Sequence, residues 1–479
     1  MRTSLALLVL LAACDTAEAP DAGARLDSGP GEVDAGSVTL ECDPAPSPQV
    51  AGTAESDALA DDAARCGQAP HGWVRDPALG GLVDVGAPSG FGRRILQGLA
   101  DGQGVVLPRP IGSDVELRTI RYTTQDRGAL VESTAVVAYP TGLAPGGSLD
   151  ALLFLHGTSG FTAACGPTED ATAQLLAAVF ASFGYLVVAP DFLGLESGAA
   201  SYPNLHPYLV GQPTAIASLD ALRAALRLDP EQRGNACATT RFVSVGGSQG
   251  GHAALWIDRL HPYYARELDH AGVIATVPPA DLLGQVARGM REFVDASQNS
   301  AAFWATAPAW YGADDRLDEV LAAPLDVDLP AALMSECSPN EFDSVATVED
   351  AFAAPALEAA AAGTLADYAP WGCFLSENGL TTTTVPRIND EPDSYGIFFV
   401  TGSEDPLVNT ALERAAYTAL CDAGLPLTYL ECEGADHGAT TWALPELIRF
   451  AEARLADEPF ERPASCDAPA AVRCEGTPE

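Results

Sequence analysis

Lysine is absent from this chain: all 25 basic residues are arginine, set against 65 acidic ones, for a formal net charge of −40. A surface of that sign repels nucleic acid and anionic lipid, so neither is expected as a partner. Beyond the first residues there is no apolar run long enough to cross a bilayer. No C-x-x-C pair occurs, which weakens metal and redox readings. What is present is ample core material. A hydrophobic content of 47% over 479 residues suits one large domain with an insertion, or two domains.

The N-terminus reads as a processing segment. Met1-Arg2 is followed by an apolar stretch from Leu5 to Ala12, and Leu11-Ala12-Ala13-Cys14 resembles a bacterial lipobox. Residues 1–14 are therefore expected to be a lipoprotein signal ending in a lipidated Cys14, each buried acyl methylene adding roughly 0.8 kcal/mol of anchoring. An ordinary secretory signal is the alternative. Residues 15–70, rich in Ala, Asp, Gly, Pro and Ser, read as a disordered acidic tether. Setting Cys14 aside leaves an even ten of the 11 cysteines, which in an exported chain allows up to five disulfides.

From about residue 112, strand-like and helix-like runs alternate. Val115–Thr123 and Ala129–Tyr139 read as a hairpin, and the apolar runs at 151–155, 185–189, 241–245, 272–277, 395–401 and 427–431 as further strands. Helical patterns lie between them, one at Thr168–Phe183 with Thr168 as its N-cap. Such alternation predicts an α/β fold, a mostly parallel eight-stranded sheet with helices on both faces. Residues 71–280 and 390–479 form this expected core. Residues 281–389 are too many for a loop and predict a mainly helical cap inserted between strands 6 and 7. Its aromatics, Phe293, Phe303, Trp304, Trp310, Tyr311, Phe342, Phe352, Trp371 and Phe374, are expected mostly in the cap's own core, with a minority facing substrate. Within this fold a Cys421–Cys432 pair is unfavourable, because the intervening strand separates the sulfurs by roughly 15 Å. Cys337 with Cys373 is the better expectation.

One stretch carries the chemistry. Gly246-Gly247-Ser248-Gln249-Gly250 follows the strand Arg241–Val245 and runs into a helical pattern from His252. That is the strand, sharp turn and helix of a G-x-S-x-G nucleophile elbow. Glycine at 246 and 250 removes Cβ atoms that would clash where strand and helix fold back, leaving Ser248 exposed in a strained turn. A serine needs a base within reach, and the base an orienting acid. Of seven histidines, His437 follows the last strand in a flexible loop. His252 cannot easily turn back toward Ser248, His206 reads as structural at the border of the site, and His71, His261 and His270 lie elsewhere. Asp405, after the penultimate strand and before Pro406, is the expected acid, with Glu404 the runner-up. The N–H groups of Gln249 and Thr158 are the candidate oxyanion donors, each adding roughly 3 kcal/mol of barrier lowering.

From about Leu117 to Phe450 the chain resembles the α/β-hydrolases, and more narrowly the secretory lipase and bacterial serine esterase group. The narrower match rests on His156-Gly157-Thr158, Pro190-Asp191-Phe192-Leu193-Gly194-Leu195, His206-Pro207-Tyr208-Leu209 and Ser248-Gln249-Gly250-Gly251. The resemblance implies carboxylic ester hydrolysis through an acyl-enzyme, without cofactor or metal, on a small-molecule or lipid ester. Lipase action on acylglycerols is the first expectation and short-chain or aryl carboxylesterase the second. A serine peptidase or a catalytically silent surface-binding protein ranks lower. The membrane is expected to be met only through the lipid anchor.

Overall fold

The structure is a computed structural model. It describes residues 42–51, 66–68, 71–143, 147–200, 202–338 and 340–478. The expected signal segment, Cys14 and most of the proposed tether lie outside the described residues.

Among the strands, those in the middle of the sheet are buried on both faces, which is why they read as near-continuous apolar runs. Eight strands match the expected set: β3 (Val115–Asp126), β4 (Ala129–Pro140), β5 (Ser148–Leu155), β6 (Leu186–Pro190), β7 (Cys237–Gly247), β8 (Asp269–Thr276), β9 (Gly396–Gly402) and β10 (Leu427–Cys432). Two short strands, β1 (Leu82–Val85) and β2 (Ser89–Phe91), were not expected, and both pair with β3 at the antiparallel edge. The sheet therefore has ten strands, in the order β1-β3-β4-β6-β5-β7-β8-β9-β10 with β2 off the path. From β6 to β10 every pairing is parallel.

Alternate residues of one strand serve opposite layers. In β5, Ala151, Leu153 and Leu155 join one core, whereas Leu152 and Phe154 join the other. In β9, Ile397 and Phe399 separate from Phe398 and Val400 in the same way. Helices Gly211–Leu226, Gln249–Tyr264 and Thr410–Asp422 cover the first face; Ala171–Ala181 and Leu444–Leu455 cover the second. The helix predicted from Thr168 begins at Ala171 instead. Asp170 caps it, accepting from Thr172 and Ala173 N–H, because Thr168 is turned toward the buried carboxyl of Asp191.

Between β8 and β9 the described residues form six α-helices around a third apolar cluster. Phe303, Trp304, Trp310, Tyr311, Phe352, Trp371 and Phe374 make up its centre. Two disulfides tie this cap to other parts of the chain, Cys165–Cys337 and Cys66–Cys373. The expected Cys337–Cys373 pair does not form, since Cys337 meets Cys165 in the loop after β5 and Cys373 meets Cys66 ahead of the first strand. Gly160, after β5, leaves the room for the first bridge: a Cβ there would lie 3.0 Å from Cys337 Cβ.

Cys42–Cys237, Cys421–Cys466 and Cys432–Cys474 use the other six cysteines among the described residues, and Cys421 and Cys432 do not pair with each other. Cys42–Cys237, together with a backbone bond from Ala51 N–H to Tyr263 O, fixes residues 42–51 against the core. The span read as tether, 15–70, thus includes residues that are firmly placed. At the other end Val472 bridges to Cys432 and covers part of the exposed edge of β10.

Candidate active site

Strand β7 ends at Gly247, and the next helix begins at Gln249, so Ser248 alone makes the reversal. It does so at φ 58°, ψ −122°, a conformation that costs an L-residue energy and persists only where its surroundings enforce it. Ser248 N–H donates to Thr276 O at 2.9 Å, and His252 N–H to Ser248 O at 3.0 Å. The flanking glycines are needed for the reason the sequence suggested. A Cβ at 246 would lie 2.2 Å from Gly250 O, and one at 250 would lie 2.0 Å from Leu155 O.

The acid arrives on the turn after β9. Asp405 is buried; its Oδ1 accepts from Leu407 N–H at 2.8 Å and Val408 N–H at 2.9 Å. These two donors aim Oδ2 at His437 Nδ1, 2.7 Å away. Glu404, the runner-up, is exposed to solvent, and only its N–H is engaged, with Ala435 O. The histidine loop touches the acid turn closely because residue 402 is glycine: a Cβ there would meet Asp436 O at 2.4 Å. Thr440 Oγ1, three residues past His437, lies 2.5 Å from Thr276 Oγ1, and Thr276 O receives the Ser248 N–H. Elbow, acid turn and histidine loop therefore lie at the carboxyl ends of β7, β9 and β10, with β8 between the first two. Among the described residues His437 is bonded to Asp405 through Nδ1, and no hydrogen bond joins its other ring nitrogen to the Ser248 hydroxyl.

Gln249 and Thr158, the expected oxyanion donors, occupy the helix start and the loop after β5. Their side chains have partners that sequence reasoning missed. The Gln249 amide is within 2.7 Å of His206 Nε2, while His206 Nδ1 lies 2.8 Å from Leu193 O. A ring that donates from Nδ1 accepts at Nε2, so the imidazole is neutral. Burial pushes its pKa down to about 3. His206 is thus a structural brace under the elbow, stacked with Phe192 and, beyond it, His156. His156 is likewise buried and pushed down to about 4. His252 is engaged with Asn378 O at 2.7 Å and plays no part at the elbow rim. Thr158 Oγ1 lies 2.9 Å from the Tyr208 phenol, which receives Asn299 Nδ2 from the cap. The His206-Pro207-Tyr208 segment was the one legible sign of this contact.

Cap helices Leu282–Arg291 and Asp295–Tyr311 roof a space of about 40 Å³ beside Ser248. Leu209, Leu282, Val286, Leu407 and Val408 give it an apolar wall, and Tyr208, Gln285 and Asn299 bring polar groups. None of the nine cap aromatics lines it, so the expected substrate-facing minority is not found at this position. Gln285 also ties the cap to the acid turn. Its carbonyl accepts Asn409 N–H at 3.0 Å and its amide donates to Glu413 Oε1 at 2.8 Å. Among the described residues no cluster of three His, Cys, Asp or Glu side chains is arranged to hold a metal.

Three solved structures share this architecture. The rice cell wall degrading esterase LipA from Xanthomonas oryzae superposes with a TM-score of 0.61 at 18% identity, over 79% of this chain and 98% of its own. A putative hydrolase from Legionella pneumophila gives 0.63 at 19%, over 78% and 98%. Candida antarctica lipase A in its closed state gives 0.60 at 14%, over 82% and 86%. At these identities the likeness is one of fold. No curated protein matches the sequence. By sequence, the family described as secretory lipase matches residues 168–462.

Proposed function

The chain belongs to the secretory lipase family and is an α/β-hydrolase acting on carboxylic esters; from that premise we propose a serine mechanism centred on Ser248. The Ser248 hydroxyl attacks the ester carbonyl while His437 Nε2 takes its proton. Asp405 holds Nδ1–H and stabilises the imidazolium that forms. His437 returns the proton to the departing alcohol, and water, activated by the same imidazole, releases the acid. The Gln249 and Thr158 N–H groups receive the negative charge on the tetrahedral oxygen. The observations that carry this reading are the 2.7 Å Asp405–His437 contact and an elbow serine held at φ 58°, the histidine loop reaching the elbow strand's neighbour through Thr440 and Thr276.

Acylglycerols are the proposed substrates, with the acyl chain against Leu282, Val286, Leu407 and Val408. The small volume beside Ser248 favours a second reading, an esterase for short acyl groups. Turnover of p-nitrophenyl esters of increasing acyl length separates the two. Rates that rise to long chains support the lipase, and a maximum at acetyl rejects it. Ser248→Ala should lose activity on the whole series.

Membership in a secretory family and five disulfides indicate an exported protein. Lipidation of Cys14 is proposed from the lipobox-like sequence alone. Cys14→Ser should move the protein from the detergent phase to the aqueous phase, and unchanged partition would refute the anchor.

A further inference from the structure

Three side chains from separate parts of the chain meet beside Ser248. Asn299 Nδ2, from the cap helix Asp295–Tyr311, lies 2.9 Å from the Tyr208 phenol oxygen, and that oxygen lies 2.9 Å from Thr158 Oγ1. Tyr208 is buried and held edge-on against Phe161, ring centroids 5.1 Å apart. Tyr208 and Asn299 line the same space as Ser248. Gly157, next to Thr158, is so near the elbow that a Cβ on it would lie 3.7 Å from Ser248 Cβ.

The donors and acceptors of this chain can be ordered. An amide NH₂ only donates, so Asn299 supplies a proton to the phenol oxygen. A buried phenol O–H requires an acceptor, and among the described residues Thr158 Oγ1 is the one it reaches. Thr158 Oγ1 therefore accepts, and among the described residues its own O–H is left without an acceptor. Thr158 is exposed, and it follows the Gly157 that abuts the elbow, so that proton is available to a substrate held at Ser248.

We propose that the Thr158 hydroxyl is a catalytic oxyanion donor, added to the backbone N–H groups, and that Tyr208 and Asn299 are positioning residues that orient it. The inference rests on the Ser248 reading above and deepens it. Donation runs Asn299 to Tyr208 to Thr158 to the developing negative oxygen, each hydroxyl keeping its proton. Hydrogen bonds in series polarise one another, so the last donor is strengthened by those behind it. Because Asn299 is on the cap, the chain also links the position of the cap to the strength of the oxyanion site.

The test is steady-state hydrolysis of a soluble p-nitrophenyl ester. Thr158→Val deletes the hydroxyl while keeping shape and backbone N–H, and should lower kcat about 100-fold with little change in KM. Thr158→Ser should restore most of the loss. Tyr208→Phe should lower kcat by about two- to fivefold, again without a matching rise in KM. Thermal unfolding accompanies each variant, and Thr158→Ala replaces the valine variant if that one is unstable. Full activity in a hydroxyl-free variant overturns the proposal, as does a loss that Thr158→Ser does not recover. Ser248→Ala is measured alongside. If it is inactive while Thr158→Val is fully active, only this inference fails; if Ser248→Ala still turns over, the reading beneath it fails.

Discussion

At the scale of single residues, the site depends on side chains that cannot be exchanged for near relatives. Asp405 receives two backbone N–H bonds on one oxygen and offers the other to His437, so its orientation is fixed before substrate arrives. An amide in its place would present a donor to Nδ1 or select the wrong imidazole tautomer. Asp405→Asn is therefore expected to lower kcat by about 10⁴-fold, while Glu404→Gln, on the solvent side, should stay within about twofold of the parent. Steady-state kinetics on one ester checks both. These positions were legible because each sits on a turn directly after an apolar strand, where local sequence states its context. The Gln249–His206 and Tyr208–Asn299 contacts were not. Their partners lie 43 and 91 residues apart, and nothing local marks them.

Among the elements, the connection between cap and acid turn passes through Gln285 and the buried Glu413, whose carboxyl accepts from the Gln285 amide and from Ala280 N–H. Burial pushes the Glu413 pKa up from 4.5 to about 8. The sign follows from linkage. Below pH 4.5 both folded and unfolded chains carry the proton. Between about 4.5 and 8 the unfolded chain loses it and the folded one does not, so stability declines as pH rises. Above about 8 the contribution levels off. Glu413→Gln should remove this part of the decline, at most roughly 1.4 kcal/mol per pH unit. Urea unfolding at several values between pH 5 and pH 8 should give the variant a shallower slope than the parent; parallel slopes would exclude the assignment. The main strands were readable from their apolar runs. Strands β1 and β2 were not: Leu82–Val85 and Ser89–Phe91 are short, half exposed and dictated by the free edge of β3. The cap's aromatics read correctly as core, yet the residues that roof Ser248 are aliphatic and amide side chains of the kind any helix carries.

Across the whole molecule, an acidic surface and a stapled cap set the terms. Two of the five disulfides join the cap to distant parts of the chain, and the loops they close are long, 172 residues for Cys165–Cys337 and 307 for Cys66–Cys373. Removing Cys165–Cys337 by paired serine substitution should cost about 2–4 kcal/mol, read as a lower urea midpoint. Connectivity was beyond the sequence because cysteine pairing is decided by which layers meet. Even an approximate fold could reject Cys421–Cys432 without selecting the correct partners, Cys466 and Cys474. The proposed mechanism turns on Ser248 as the bearer of the reacting atom. Treatment with a fluorophosphonate followed by peptide mass spectrometry tests this most directly. A single phosphonyl adduct on Ser248, formed far more slowly in His437→Ala, is the expected result. An unlabelled protein, or a stoichiometric adduct on another residue, would contradict it.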